Sequence, residues 1–272
     1  MKRSIPLVAA GLSIVVAPWP ALRANPAAGL ALNAEAYSAV VGQPPAAGSA
    51  EEAKDLAILR WNQRTRYPQA VEHAWGFLNR DIGVFDTAIG ANLAKAAPTL
   101  AKGLLFFLKE VDRVKNVLKE RYRRPRPFLT HKDLKPCLPL ESSFSFPSGH
   151  STWYAAAGLL LADLLPQRRQ RLLSMGQQGG YARAYCQVHY PSDVLASERL
   201  ARAISKDIVA SAQWQAFRRQ VAAELPALLQ WSQGLTKLNL SHNQIVDVSG
   251  LTLTEGLTEL NLSNNKIVDV SG

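Results

Sequence analysis

The stretch Pro147-Ser148-Gly149-His150-Ser151-Thr152-Trp153-Tyr154-Ala155-Ala156-Ala157-Gly158-Leu159-Leu160-Leu161 decides how the rest of the chain is read. Positions 150, 154, 157, 161 and 164 recur at helical spacing, so His150 shares a stripe with Tyr154, Ala157, Leu161 and Leu164. Ser148 and Gly149 stand where that helix begins. Serine is a preferred helix cap, and the free N–H groups and positive dipole end at a helix start favour an anion. Any helix can open on Ser-Gly, so this cradle acquires meaning only from the sequence on either side.

Downstream, Pro166 breaks the helix and a glycine-bearing segment runs from Gln167 to Gln187. Positions 176, 180, 183 and 187 share a face there, and the glycines let another backbone approach near Arg183. His189-Tyr190-Pro191-Ser192-Asp193 follows. Proline pushes Tyr190 out of helical geometry and suits the first position of a new helix. His189 is therefore expected in a tight corner with Asp193 one turn beyond. From there the carboxylate can hold one imidazole nitrogen and leave the other free.

Upstream, the spacing predicts a helix over Pro98–Tyr122, with Phe107, Val111, Val114 and Leu118 on an apolar face and Asp112, Lys115, Asn116 and Lys119 on a polar one. It should end before Pro125. The cationic run Lys119-Glu120-Arg121-Tyr122-Arg123-Arg124-Pro125-Arg126-Pro127 resembles a nucleic-acid patch when taken alone. Its two prolines and the lack of a repeated aromatic platform argue against one. Residues 128 to 146 read as a loop holding Cys137. The capping box Ser49-Ala50-Glu51-Glu52 starts a helix expected to reach Arg66, and helical patterns over Pro68–Arg80 and Asp86–Ala96 supply scaffold. Asp163 and the Arg168–Arg171 cluster read as solvated charge.

A chain of 272 residues suffices for one sizeable core plus an appendage. Apolar residues at 47% against 19% charged exclude a disordered chain, and a net charge of +10 favours anionic partners without choosing among them. Lys2, Arg3 and the short apolar run Ile5–Ala17 read as an export signal over residues 1–24. No later run reaches the roughly 18 apolar residues of a membrane span. The expectation is a soluble mature protein, periplasmic or secreted. Cys137 and Cys186 either stay free thiols or close a loop of 49 residues (186 minus 137), worth at most ~4 kcal/mol in chain entropy.

After Trp231 the character changes. Leu235-x-x-Leu238-x-Leu240-x-x-Asn243-x-Ile245 recurs as Leu257-x-x-Leu260-x-Leu262-x-x-Asn265-x-Ile267, a period of 22 (257 minus 235). This resembles leucine-rich repeats. Two such units cannot bury a solenoid core, so residues 232–272 are expected to be a repeat fragment appended to a domain over 25–231.

Three blocks now stand in order: Lys119-x6-Arg126-Pro127, Pro147-Ser148-Gly149-His150, and Arg183-x5-His189-x3-Asp193. Together they resemble the signature of the phosphatidic acid phosphatase type 2 superfamily. The segment Pro44–Ser49, the ending Arg126-Pro127-Phe128 and the two cysteines resemble its soluble bacterial class A non-specific acid phosphatases. The resemblance implies a mostly α-helical bundle with its site at the ends of central helices, and a Cys137–Cys186 disulfide. It implies His189 as nucleophile, His150 as general acid, and Asp193 orienting His189. Lys119, Arg126, Ser148, Gly149 and Arg183 would bind phosphate. Ala182 departs from the pattern where the motif has serine, which should weaken the support of Arg183.

The chemistry fits the residue types. A transferring phosphoryl group spreads charge over its equatorial oxygens, and fixed cations stabilise it. Arginine forks grip two oxygens each, and a free imidazole nitrogen can attack phosphorus. The pattern calls for no cofactor and no metal. Partners are small phosphate monoesters, with neither nucleic acid nor membrane span, and the resemblance implies a homo-oligomer. Two other readings remain: a vanadate-dependent haloperoxidase, because vanadate mimics phosphate, and an interaction protein acting through its repeats.

Overall fold

A computed structural model describes residues 25–229, the backbone of 237–239, and residues 259–267. The expected export signal lies outside the described residues, as does most of the repeat segment. In chain order the helices are α1 Ser38–Val41, α2 Ala50–Thr65, α3 Pro68–Trp75, α4 Asp86–Ile89, α5 Leu93–Ala96 and α6 Pro98–Tyr122. Then come α7 Pro127–Thr130, α8 Gly149–Leu164, α9 Arg169–Tyr185, α10 Pro191–Ala210, α11 Ala212–Val221 and α12 Leu225–Leu229. The protein is mostly α-helical, as its periodicity predicts.

The helix ends follow local chemistry. Ser49 caps α2 by accepting from Glu52 N, while Glu52 reaches back to Gly48 N at 2.7 Å. Pro68, Pro98 and Pro191 each stand at a first helical position, where their missing N–H costs nothing. The helical pattern expected over 86–96 is broken, because Gly90 turns left-handed at φ 87° and separates α4 from α5. The loop expected from 128 begins instead with the single turn α7. Asp163 is no solvated charge: its Oδ2 accepts from the indole Nε1 of buried Trp214 at 2.8 Å.

Helices α6, α8, α9 and α10 enclose the main core. On α6, Phe107, Val111, Val114 and Leu118 are fully buried, and Phe107 meets Trp214 edge-on at 4.9 Å. Each such side chain contributes about 1.5–3 kcal/mol on leaving water. Helices α8 and α9 lie close because both carry glycine at the crossing. A Cβ on Gly158 would stand 2.6 Å from the Leu172 carbonyl oxygen, and one on Gly176 would stand 2.7 Å from that of Tyr154. That approach brings Arg183 of α9 alongside the start of α8.

In the C-terminal segment, β1 Lys237–Asn239 pairs in parallel with β2 Glu259–Asn261, and Leu238 faces Leu260. The offset of 22 residues (259 minus 237) equals the sequence period.

Candidate active site

Two non-glycine residues with left-handed backbone, Arg123 (φ 47°) and Gln187 (φ 56°), frame the site. Arg123 ends α6, with its N–H on the Lys119 carbonyl at 2.9 Å. The chain thus turns sharply, and both Arg124 and Arg126 enter the interior (6% and 1% exposed). Gln187 turns the end of α9 so that His189 lies fully buried before α10 starts. Such conformations cost of order 1–3 kcal/mol and concentrate at functional sites.

His189 has two differently held nitrogens. Nε2 lies 3.0 Å from Arg126 Nη1. A guanidinium only donates, so Nε2 is the unprotonated nitrogen and Nδ1 carries the hydrogen. Nδ1 lies 3.3 Å from Asp193 Oδ2. The same oxygen accepts from Ser145 Oγ at 2.5 Å and from Tyr190 N at 2.9 Å, while Oδ1 accepts from Arg124 Nη1 at 2.7 Å. The corner and the carboxylate reaching back are as the sequence predicts. Burial first, then Arg126, Lys119 and Arg183, hold the His189 pKa well below the usual imidazole value, so the ring is neutral. Burial raises Asp193, and Arg124 and Ser145 pull it back toward the carboxylate.

The expected cations converge beside this imidazole. Lys119 is buried and donates to the Phe144 carbonyl; burial, then Arg126 and Lys115, lower its pKa to about 7. Arg126 donates to Ser143 O, Val188 O and Ser143 Oγ, and from Nη2 to Glu141 Oε2 at 2.5 Å. Arg183 is fully buried and donates from Nη2 to Glu141 Oε1. Its Nε and Nη1 find no acceptor among the described residues.

Ser148 caps α8: its Oγ accepts from Ser151 N at 3.4 Å and Ser151 Oγ at 2.8 Å, leaving its own hydrogen to donate. A Cβ on Gly149 would lie 3.4 Å from Lys115 Nζ, so glycine keeps that first helical turn open to a fourth cation. His150 donates from Nε2 to the Leu78 carbonyl at 2.8 Å, which leaves Nδ1 facing the cradle, 3.6 Å from Glu141 Oε1. Burial, then Arg183, lower its pKa to about 4. All eight motif residues thus meet in one place.

Sequence reasoning missed Arg124, Ser145, Lys115 and Glu141. Lys115 lies one turn before Lys119 on the face already read as polar, and that spacing was the signal available for it. Cys137 and Cys186 form a disulfide (Cα–Cα 4.8 Å) that ties the 128–146 loop to the end of α9. Among the described residues no cluster of three or more His, Cys, Asp or Glu could hold a metal, and no helix is long and apolar enough to cross a membrane. A separate hollow of about 580 Å³ between α2, α3 and α9, lined by Trp61, Tyr67, His73 and Tyr181, includes none of the motif residues.

Fold and site together define a helical protein in which buried cations converge beside a neutral imidazole. Residues 100–218 match the PAP2 superfamily. Residues 233–272 match a family of two-copy leucine-rich repeats. The chain is 28% identical over 173 residues to a non-specific acid phosphatase of Providencia stuartii, covering 60% of this chain and 70% of that one. It is 30% identical over 174 residues to an acid phosphatase of Zymomonas mobilis, covering 58% and 63% respectively. The chain thus spans about two thirds of the length of these relatives. A transmembrane PAP2 type phosphatidylglycerolphosphate phosphatase from Bacillus subtilis aligns with 64% of this chain and 87% of its own, at 26% identity and a TM-score of 0.45.

Proposed function

We propose that this chain hydrolyses phosphate monoesters as an acid phosphatase through a phosphohistidine on His189, in the periplasm or outside the cell. The PAP2 match and relatives named acid phosphatases support the hydrolase class. One observation carries the mechanism: an unprotonated imidazole nitrogen 3.0 Å from Arg126, in a cradle where Arg183 has two buried donors to spare.

The steps follow from the geometry. The lone pair of His189 Nε2 attacks phosphorus while the ester P–O bond breaks. Asp193 steadies the positive charge growing on the ring through Nδ1. Arg126, Arg183, Lys119 and the start of α8 hold the equatorial oxygens. Protonated His150 gives its Nδ1 hydrogen to the leaving alkoxide, then as a neutral base takes one from the water that cleaves the P–N bond. Phosphate leaves and His189 is restored. Residues 25–231 carry this chemistry and 232–272 form a separate repeat unit. Export is supported by the charged and apolar start of the chain and by the disulfide, which suits an oxidising compartment.

His189→Ala should abolish turnover of p-nitrophenyl phosphate while keeping the melting temperature near that of the wild type. Alkaline quenching of the wild type during turnover should trap a phosphoryl group on His189. A wild-type rate in the variant, or a phosphoryl group trapped elsewhere, would remove His189 as nucleophile.

A further inference from the structure

The place where a phosphate's oxygens would lie already holds a carboxylate. Glu141 Oε1 accepts from Arg183 Nη2 and faces His150 Nδ1 at 3.6 Å, while Oε2 accepts from Arg126 Nη2 at 2.5 Å. One side chain thus spans both arginine forks and meets the general acid. Burial works to raise the Glu141 pKa, but Arg126, Arg183 and His150 together keep it below the ordinary carboxylate value, so it is charged.

Its position is built rather than incidental. Four residues before it, Cys137 is bridged to Cys186. Two to four residues after it, Arg126 donates to Ser143 O at 2.8 Å, Lys119 donates to Phe144 O, and Ser145 donates to Asp193 at 2.5 Å. The loop is clamped to the site on both sides of Glu141, yet the side chain itself is about one third exposed, at 32%. The tether is short and the carboxylate can still swing out.

From this we infer that Glu141 is a tethered competitor of the substrate: it occupies the cradle between turnovers, and any phosphate must displace it. The inference rests on the reading of the cradle as the phosphate site. A carboxylate brings one negative charge to two arginines, whereas a phosphate monoester brings up to two charges and three free oxygens. These can also reach the donors Glu141 leaves empty, Arg183 Nε and Nη1. Phosphate therefore wins where singly charged anions do not. The returning carboxylate also opposes rebinding of product phosphate. Because the competitor is the same for every ligand, it lowers the affinity of all cradle anions by a common factor.

Calorimetric titration of the full chain with inorganic phosphate, and separately with sulfate, tests this in the wild type, Glu141→Gln, Glu141→Ala and Arg183→Gln. Both Glu141 variants should bind phosphate at least about tenfold tighter than the wild type. Sulfate should tighten by a similar factor, and the inhibition constant of phosphate against p-nitrophenyl phosphate should fall in parallel. Glu141→Gln keeps size and hydrogen bonding, so it guards against a collapse of the arginines in the alanine variant. If Arg183→Gln loses phosphate binding but both Glu141 variants bind phosphate no tighter than the wild type, Glu141 merely props the arginines and the inference fails. If Arg183→Gln binds phosphate like the wild type, the cradle itself has been misplaced, a distinct failure that removes the reading beneath it.

Discussion

At the scale of single residues, burial sets the protonation states. Lys119, with its pKa lowered to about 7, is charged in the free protein below that pH and loses its proton as pH rises through it. His150, lowered to about 4, is protonated in the free protein only under strongly acid conditions. Both effects favour acid activity. A bound phosphate is negative and so raises both pKa values. The fall of kcat/KM with rising pH, which reports the free protein, should therefore begin at lower pH than the fall of kcat, which reports the complex. The His189 pKa is held well below the usual imidazole value, so this ring adds no acid limb near neutrality. Paired pH–rate profiles of p-nitrophenyl phosphate hydrolysis check this ordering; coincident alkaline limbs would contradict it.

Arg124 belongs to the same scale. It pairs with Asp193 at 2.7 Å and Asp55 at 3.4 Å and stacks over the Tyr190 ring at 3.7 Å. Removing one member of a buried pair costs about 3–5 kcal/mol, and a misplaced Asp193 lets the imidazole drift. Arg124→Gln should lower kcat by about a hundredfold with KM little changed, since the residue acts through Asp193 and touches no substrate. A rise in KM alone would place it in binding instead. The motif residues were legible because phosphoryl transfer demands those types at that spacing. Arg124 was hidden inside a run of cations whose members look alike until the turn at Arg123 separates buried from exposed. Glu141 sits in an aperiodic loop, and its role depends on where the disulfide and three backbone carbonyl or hydroxyl contacts hold that loop, information no local pattern carries.

At the scale of elements, the helices answer to contacts far away in sequence. Helix α6 starts without a side-chain cap of its own; Glu224, fully buried, accepts from Thr99 N at 3.0 Å and Leu100 N at 2.9 Å. A carboxylate at the positive end of a helix satisfies two free donors at once. Glu224→Ala should cost about 2–4 kcal/mol in urea unfolding, with the site's kinetics preserved because the cap lies at the opposite end of α6 from Lys119. Gly158→Ala should act differently. Its methyl would meet the Leu172 carbonyl oxygen at 2.6 Å, forcing α8 and α9 apart at a cost of about 1–3 kcal/mol. Since α8 carries His150 and α9 carries Arg183, activity should fall together with stability. The extents of α2 and α6, the apolar face of α6, the stripe and end of α8 and the start of α10 were readable from capping residues, periodicity and proline placement. The break at Gly90 was not, because the apolar spacing continues across it.

At the scale of the whole molecule, the site draws on residues 115–126, 141–150 and 183–193, and all of these lie within the helical unit. The C-terminal strands β1 and β2 pair with each other in a register that repeats the 22-residue period. Repeat units of that kind are stabilised by stacking on further repeats, and no step of the chemistry derived from the helical residues calls on them. Deleting residues 232–272 should therefore leave kcat/KM for p-nitrophenyl phosphate within about twofold of the full chain, less than 1 kcal/mol at the transition state. The melting of the helical unit should be unchanged as well. A loss beyond about tenfold, or a large fall in melting temperature, would mean that the repeats brace the cradle.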